Sequence, residues 1–186
     1  MIRPQRSAWA ALWLAALAAC GGGGGGTQSN SGSAQNPTAS GAWADLAISG
    51  LAYSTASVSG TTSSTGGFSF RCPSSCETVT FKIGGTTLGS VTGASAISLR
   101  ELSGGMTDGV LSESTIRRAQ FLIAVDADAD AGNGIALSAE LATVMANRAL
   151  NFSASSFDAD LASLIDYLRG DSRLPADYRA ALKTPT

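Results

Sequence analysis

The segment Asp126-Ala127-Asp128-Ala129-Asp130-Ala131-Gly132-Asn133-Gly134-Ile135 spaces three carboxylates at i, i+2 and i+4. Calcium takes about 6–8 oxygen ligands from a tightly turning loop, and alternating aspartates supply such oxygens. Asp126, Asp128, Asp130 and Asn133 are therefore the candidate calcium ligands. The same residues also read as a solvated acidic turn. In that reading the aspartates cap nearby backbone N–H groups and the glycines take positive φ. Residue types and spacing leave both readings open.

Cys72 and Cys76 form a second candidate pair, four residues apart in a segment that contains Pro73. In an oxidising compartment such a pair closes into a disulfide, provided the chain turns between the two residues. A redox site would instead place Cys-x-x-Cys at the start of a helix. The chain contains no histidine. Histidine is the usual general base near neutral pH and the commonest metal ligand. Ser-His-Asp and Cys-His catalysis are thereby excluded, and so are the usual zinc hydrolase sites. Carboxylate-only chemistry remains open, as in glycoside hydrolysis. Ser-Lys pairs also remain, although Lys82 and Lys183 are the only lysines. Asp158 suits a helix N-terminus. Asp166 with Arg169 or Arg173 reads as a surface pair of little energetic weight.

The start of the chain carries a different kind of signal. Arg3 and Arg6 precede an apolar run from Ala8 to Leu17, and small residues follow up to Cys20. This is the layout of a secretory signal. The run is shorter than the roughly 20 apolar residues of a membrane-spanning helix. Gly21 to Gly26 follow at once, and a helix does not continue through six glycines. Leu17-Ala18-Ala19-Cys20 resembles the lipobox of bacterial lipoprotein precursors. The resemblance implies that residues 1–19 are removed and that acyl chains on Cys20 hold the protein to a membrane. Gly21 stands where an aspartate retains enteric lipoproteins at the inner membrane. The resemblance therefore implies the outer membrane, facing the periplasm or the cell surface. Loss of Arg3 and Arg6 would leave ten basic residues against fourteen acidic ones, a net charge of −4. That balance argues against a nucleic-acid partner.

Residues 20–41 form the expected tether. Residues 21–41 have no charged, aromatic or large aliphatic side chain and cannot bury apolar surface. Their average reach is about 25 Å. The rest divides into a β-rich module, 42–103, and a helical module, 104–186. Residues 47–54 are expected as a strand with Ile48, Gly50, Ala52 and Ser54 on one face and Leu51 and Tyr53 on the other. Phe68–Arg71 and Val79–Ile83 alternate apolar and polar residues, as half-buried strands do. Gly84-Gly85 is the expected turn to a hairpin partner over Thr86–Val91. Short strands with glycine turns predict a small antiparallel sheet or sandwich.

Several stretches together carry a second resemblance: Ser49-Gly50-Leu51-Ala52-Tyr53, Gly60-Thr61-Thr62, Gly67-Phe68-Ser69-Phe70, Val79-Thr80-Phe81-Lys82-Ile83-Gly84 and Leu88-Gly89. They resemble a β module of proteobacterial surface lipoproteins, similar in outline to carboxypeptidase regulatory-like, transthyretin-like sandwiches. The resemblance covers about a quarter of the chain and implies a scaffold or binding role. Cys76-Glu77 stands where that module usually has a glycine-glutamate turn. The spacing Leu122, Asp126, Asp128, Asn133-Gly134-Ile135 resembles a stretch that follows the module in the same proteins. It also resembles the start of an EF-hand or dockerin loop. Ala131 departs from that pattern where glycine is wanted, and Leu137 where glutamate is.

Helices are expected after Ser112-Glu113-Ser114-Thr115, with Arg117 and Arg118 facing out, and over Ser138–Leu150. A third is expected from Ser155 or Ser156 to Gly170, with a capping-box spacing from Ser155 to Asp158. A fourth runs from Pro175, at its first position, to Leu182. The expected whole is an α+β protein, a small antiparallel β module followed by a small helical module. Its expected role is that of a non-catalytic cell-envelope lipoprotein, binding a protein or glycan ligand or serving a structural purpose. The alternative is a calcium-dependent accessory domain or a carboxylate-based hydrolase.

Overall fold

The computed structural model describes residues 38–104, 106–107 and 109–183. The expected signal peptide, Cys20 and residues 20–37 of the tether lie outside the described residues. The fold is α+β, as the sequence predicts.

Strand β1 (Thr38–Trp43) starts inside the segment expected to be tether. It has strand partners on both sides: β5 (Gly67–Arg71), antiparallel, and β8 (Ala96–Ile97), parallel. A second sheet has the order β4-β3-β6-β7, from β3 (Ala52–Ser54), β4 (Ser59–Thr61), β6 (Thr78–Ile83) and β7 (Thr86–Thr92). The hairpin β6–β7 turns at Gly84-Gly85, as expected. The sheets are mixed and not antiparallel throughout. Besides β1–β8, the short strand β2 (Ile48–Ser49) runs parallel to β11 (Ile135–Ala136). Met106–Thr107 and Val110–Leu111 form a small antiparallel pair, β9 and β10.

Period-2 patterning explains the β core. Phe68 and Phe70 on β5 and Val79, Phe81 and Ile83 on β6 are all buried, while their neighbours are not. The Phe81 ring lies 5.0 Å from Trp43 and 5.3 Å from Phe68, the latter edge-on. Such pairs add about 0.5–1.5 kcal/mol beyond burial alone.

The strand expected over residues 47–54 is broken, so its two-face assignment fails. Ile48 and Leu51 are both buried. Gly50 sits between them at φ +75°, which glycine adopts freely. Thr62 fills the kink, its hydroxyl donating to Ile48 O and accepting the Leu51 N–H at 3.0 Å.

Helix α1 (Glu113–Ala124) begins at Ser112, whose hydroxyl accepts the Thr115 N–H. Arg117 and Arg118 do not face out. Arg117 donates to Phe152 O and Ala154 O and lies over the Phe157 ring. Arg118 donates to Leu88 O and lies over Phe152. Both guanidinium groups thus donate to backbone carbonyls of other segments of the chain.

The helix expected over Ser138–Leu150 is a single turn, α2 (Leu141–Val144). Met145 O accepts the Gly85 N–H from the β6–β7 turn and the Arg148 N–H, so the chain leaves the helical path there. Tertiary hydrogen bonding overrides local propensity at this point.

Helix α3 (Phe157–Gly170) buries Phe157, Leu161, Leu164, Ile165 and Leu168. The capping box from Ser155 does not form. Instead Ser156 donates to Asp160 at 2.8 Å. In α4 (Ala176–Ala181) Pro175 is the cap and not the first helical residue. Side chains from strands and helices share one hydrophobic core. No helix among the described residues is long and apolar enough to cross a membrane.

Candidate functional site

The acidic segment follows α1 directly. Val125 ends the helix, and Tyr178 of α4 donates its hydroxyl to Val125 O at 2.7 Å. Asp126 then turns inward and is only 1% exposed. Its Oδ1 accepts the Ala136 N–H at 2.9 Å, while Ala136 O accepts the Ala127 N–H at 2.8 Å. Asp126 and its neighbour thus clamp β11, which pairs with β2 across the molecule. Asp126 Oδ2 is buried and has no hydrogen-bond donor among the described residues.

The other carboxylates are occupied locally. Asp128 accepts the Asp130 N–H at 3.0 Å and the Asn133 amide at 2.8 Å. Asp130 accepts the Gly132 N–H at 3.0 Å. Ala129 takes φ +60°, a left-handed conformation that costs a non-glycine residue about 1–2 kcal/mol. Lys183 donates its ammonium to Ala129 O and its backbone N–H to Ala124 O, which straps the C-terminal segment across the loop.

These environments push two neighbouring carboxyls apart. Burial raises the Asp126 pKa above the ordinary carboxylate value, against the lowering effect of the Ala136 N–H, and the charge of Asp128 raises it further. Asp128 is lowered by the Asn133 amide and the Asp130 N–H. The raised carboxyl is the buried one, Asp126, and the lowered one, Asp128, lies in the exposed part of the loop.

The expected calcium set is not assembled. The structure brings Asp128 together with Asn133 and sets it beside Asp126, but Asp126 is turned to Ala136 and Asp130 to Gly132. Among the described residues, no three acidic, histidine or cysteine side chains group so as to hold a metal ion. As placed, Asp126, Asp128 and Asp130 each accept a backbone N–H, and Asp128 also the Asn133 amide.

Cys72 and Cys76 are joined in a disulfide, with S–S 2.05 Å. It closes the end of the β5–β6 connection. Glu77 O accepts the Gly93 N–H, and its carboxylate accepts the Thr55 hydroxyl at 2.7 Å and the Arg71 N–H at 3.2 Å. These donors hold the Glu77 carboxyl below its usual range, the Thr55 hydroxyl first among them.

One arrangement had no sequence signal. Arg148, after α2, lies with its guanidinium carbon 3.5 Å from the ring centroid of Tyr167 on α3. The two residues are 19 apart, on different elements, and no periodicity links them. No family model matches this sequence, and no curated protein or solved structure matches it.

Proposed function

We propose that this chain is a cell-envelope lipoprotein, held to the outer membrane through acylated Cys20, with a non-catalytic binding role. The observation that carries the reading is Leu17-Ala18-Ala19-Cys20 after a charged start and a short apolar run. Two features support it. The Cys72–Cys76 disulfide suits an oxidising compartment outside the cytoplasm. The absence of histidine removes the commonest routes to hydrolysis. Acylation by two or more chains gives stable anchoring, at about 0.8 kcal/mol per buried methylene. The glycine- and serine-rich sequence before β1 has the composition of a tether between that anchor and the folded domain.

The test is detergent-phase partition of the full chain expressed in a Gram-negative host. The wild-type chain is expected in the detergent phase with membrane markers, and Cys20→Ala in the aqueous phase or retained with its leader uncut. Equal partition of the two chains contradicts the proposal.

A further inference from the structure

We propose that the groove between the 145–150 segment and α3 binds an acidic saccharide, with Arg148 holding its carboxylate. The inference rests on the binding role proposed above and names its ligand class.

The backbone of Arg148 is fixed from below. Gly85 donates to Met145 O at 2.9 Å. The fully buried Thr86 accepts the Leu150 N–H at 3.1 Å and donates to Arg148 O at 3.4 Å. A Cβ on Gly85 would lie 2.6 Å from Arg148 O, so the turn and this segment are in direct contact. The Arg148 side chain is exposed, yet it is laid flat on the Tyr167 ring. Stacking of this kind pre-orients a guanidinium and leaves its N–H edge free. The Tyr167 hydroxyl accepts from Arg173 at 3.0 Å, and Arg173 is neutralised by Asp171. Arg148 has no such partner among the described residues. A planar, pre-oriented and uncompensated guanidinium suits a carboxylate, which it can bind through two parallel hydrogen bonds.

Two depressions of about 400 Å³ meet at Asn147 and Arg148. Thr143, Tyr167 and Arg173 line one, and Asp160 and Ser163 line the other. Each is within the about 300–1,000 Å³ of small-molecule sites, but the walls here are polar. The Asn147 amide, the hydroxyls of Thr143, Ser163 and Tyr167 and the Asp160 carboxylate around Arg148 offer donors and acceptors for a ligand rich in hydroxyl groups. Asp160 lines the depression beside Arg148, and its carboxylate can accept hydrogen bonds from ligand hydroxyls.

The test is titration of the full chain in neutral detergent with digalacturonate, a neutral disaccharide and inorganic phosphate, followed by calorimetry. Digalacturonate is expected to bind saturably and at least tenfold more tightly than either control. Arg148→Gln is expected to weaken it at least tenfold while lowering the melting temperature by only a few degrees at most, since the side chain loses one exposed stacking contact and supports no backbone. Arg148→Lys keeps the charge but loses the stacked fork and is expected to restore little. Asn147→Ala is a second, exposed variant expected to weaken binding, and the remote Lys82→Ala is expected to leave it unchanged. Unchanged binding in Arg148→Gln overturns the proposal. So does phosphate binding as tightly as digalacturonate, or no binding of digalacturonate at all. Detergent partition of the same sample reads anchoring separately, so failure of the groove is distinguishable from failure of the anchor.

Discussion

Asp126 Oδ1 accepts the backbone N–H of Ala136 at 2.9 Å across a ten-residue loop, from a carboxyl that is 1% exposed. This one bond joins the end of α1 to the strand that pairs with β2. Its cost is a buried acid beside a second carboxylate.

That cost sets a pH dependence. The folded pKa of Asp126 is raised, mainly by burial, above the value it has in the unfolded chain. Below the unfolded value both states are protonated and the group has no effect. As pH rises from there through the raised folded value, the unfolded state ionises first and stability is lost. Asp126→Asn keeps the carbonyl acceptor and removes the titration. The difference in unfolding free energy between Asp126→Asn and wild type is expected to grow as pH rises through that window. Using the difference cancels the opposite slope of the lowered carboxyls, such as Asp171, which the Arg173 hydrogen bonds depress. Denaturant melts at several pH values check it, and a difference independent of pH contradicts it. Asp126→Ala removes the acceptor and is expected to destabilise at every pH by about 1–3 kcal/mol.

Calcium is expected to leave the protein unchanged. A cation bound only to the native state raises stability by RT ln(1 + [L]/Kd), about 2.7 kcal/mol at a hundredfold excess. Because Asp126 and Asp130 are committed to backbone N–H groups, the melting temperature in millimolar calcium should equal that in EDTA, with magnesium as control. A rise of several degrees that Asp128→Ala abolishes would show that the loop rearranges around a metal.

The Cys72–Cys76 link encloses a short loop. The chain-entropy relation assigns such a loop about 2 kcal/mol. The Cys72→Ser/Cys76→Ser double variant is expected to fold and to lose about that much, measured by urea unfolding. A loss beyond roughly 4 kcal/mol would mean that the link does more than close the β5–β6 connection.

Arg117 ties α1 to the segment before α3. Its guanidinium donates to Ala154 O at 2.8 Å and Phe152 O at 3.2 Å, with its side chain only 12% exposed. Arg117→Ala removes the guanidinium from Phe152 O and leaves Ala154 O with only the Phe157 N–H, at 3.2 Å, and is expected to cost about 1–3 kcal/mol. Arg117→Lys cannot reproduce the planar fork and is expected to recover less than half. Full rescue by lysine in thermal melts would reduce the interaction to charge alone.

Local pattern carried much of this fold. Val79, Phe81 and Ile83 alternate, and Gly84-Gly85 punctuates them, so the β6–β7 hairpin was readable. The apolar stripe from Phe157 to Leu168 likewise marked α3. What could not be read were the contacts made at a distance. The kink at Gly50 depends on Thr62, and the pairing of β2 with β11 joins residues 87 apart. The helix over Ser138–Leu150 stops where Gly85 takes the Met145 carbonyl. Arg117 and Arg118 look like solvent-facing charges until the carbonyls of Phe152, Ala154 and Leu88 are in place. The acidic loop shows the same division. Its aspartate spacing was visible, but whether the carboxylates converge depended on Ala136, which lies beyond the motif and draws Asp126 inward.

Mass measurement of the N-terminal peptide from membrane-extracted protein shows whether Cys20 anchors the chain. The expected peptide begins at Cys20 and carries the added mass of its acyl chains. A peptide that begins elsewhere, or an unmodified Cys20, would contradict that anchoring.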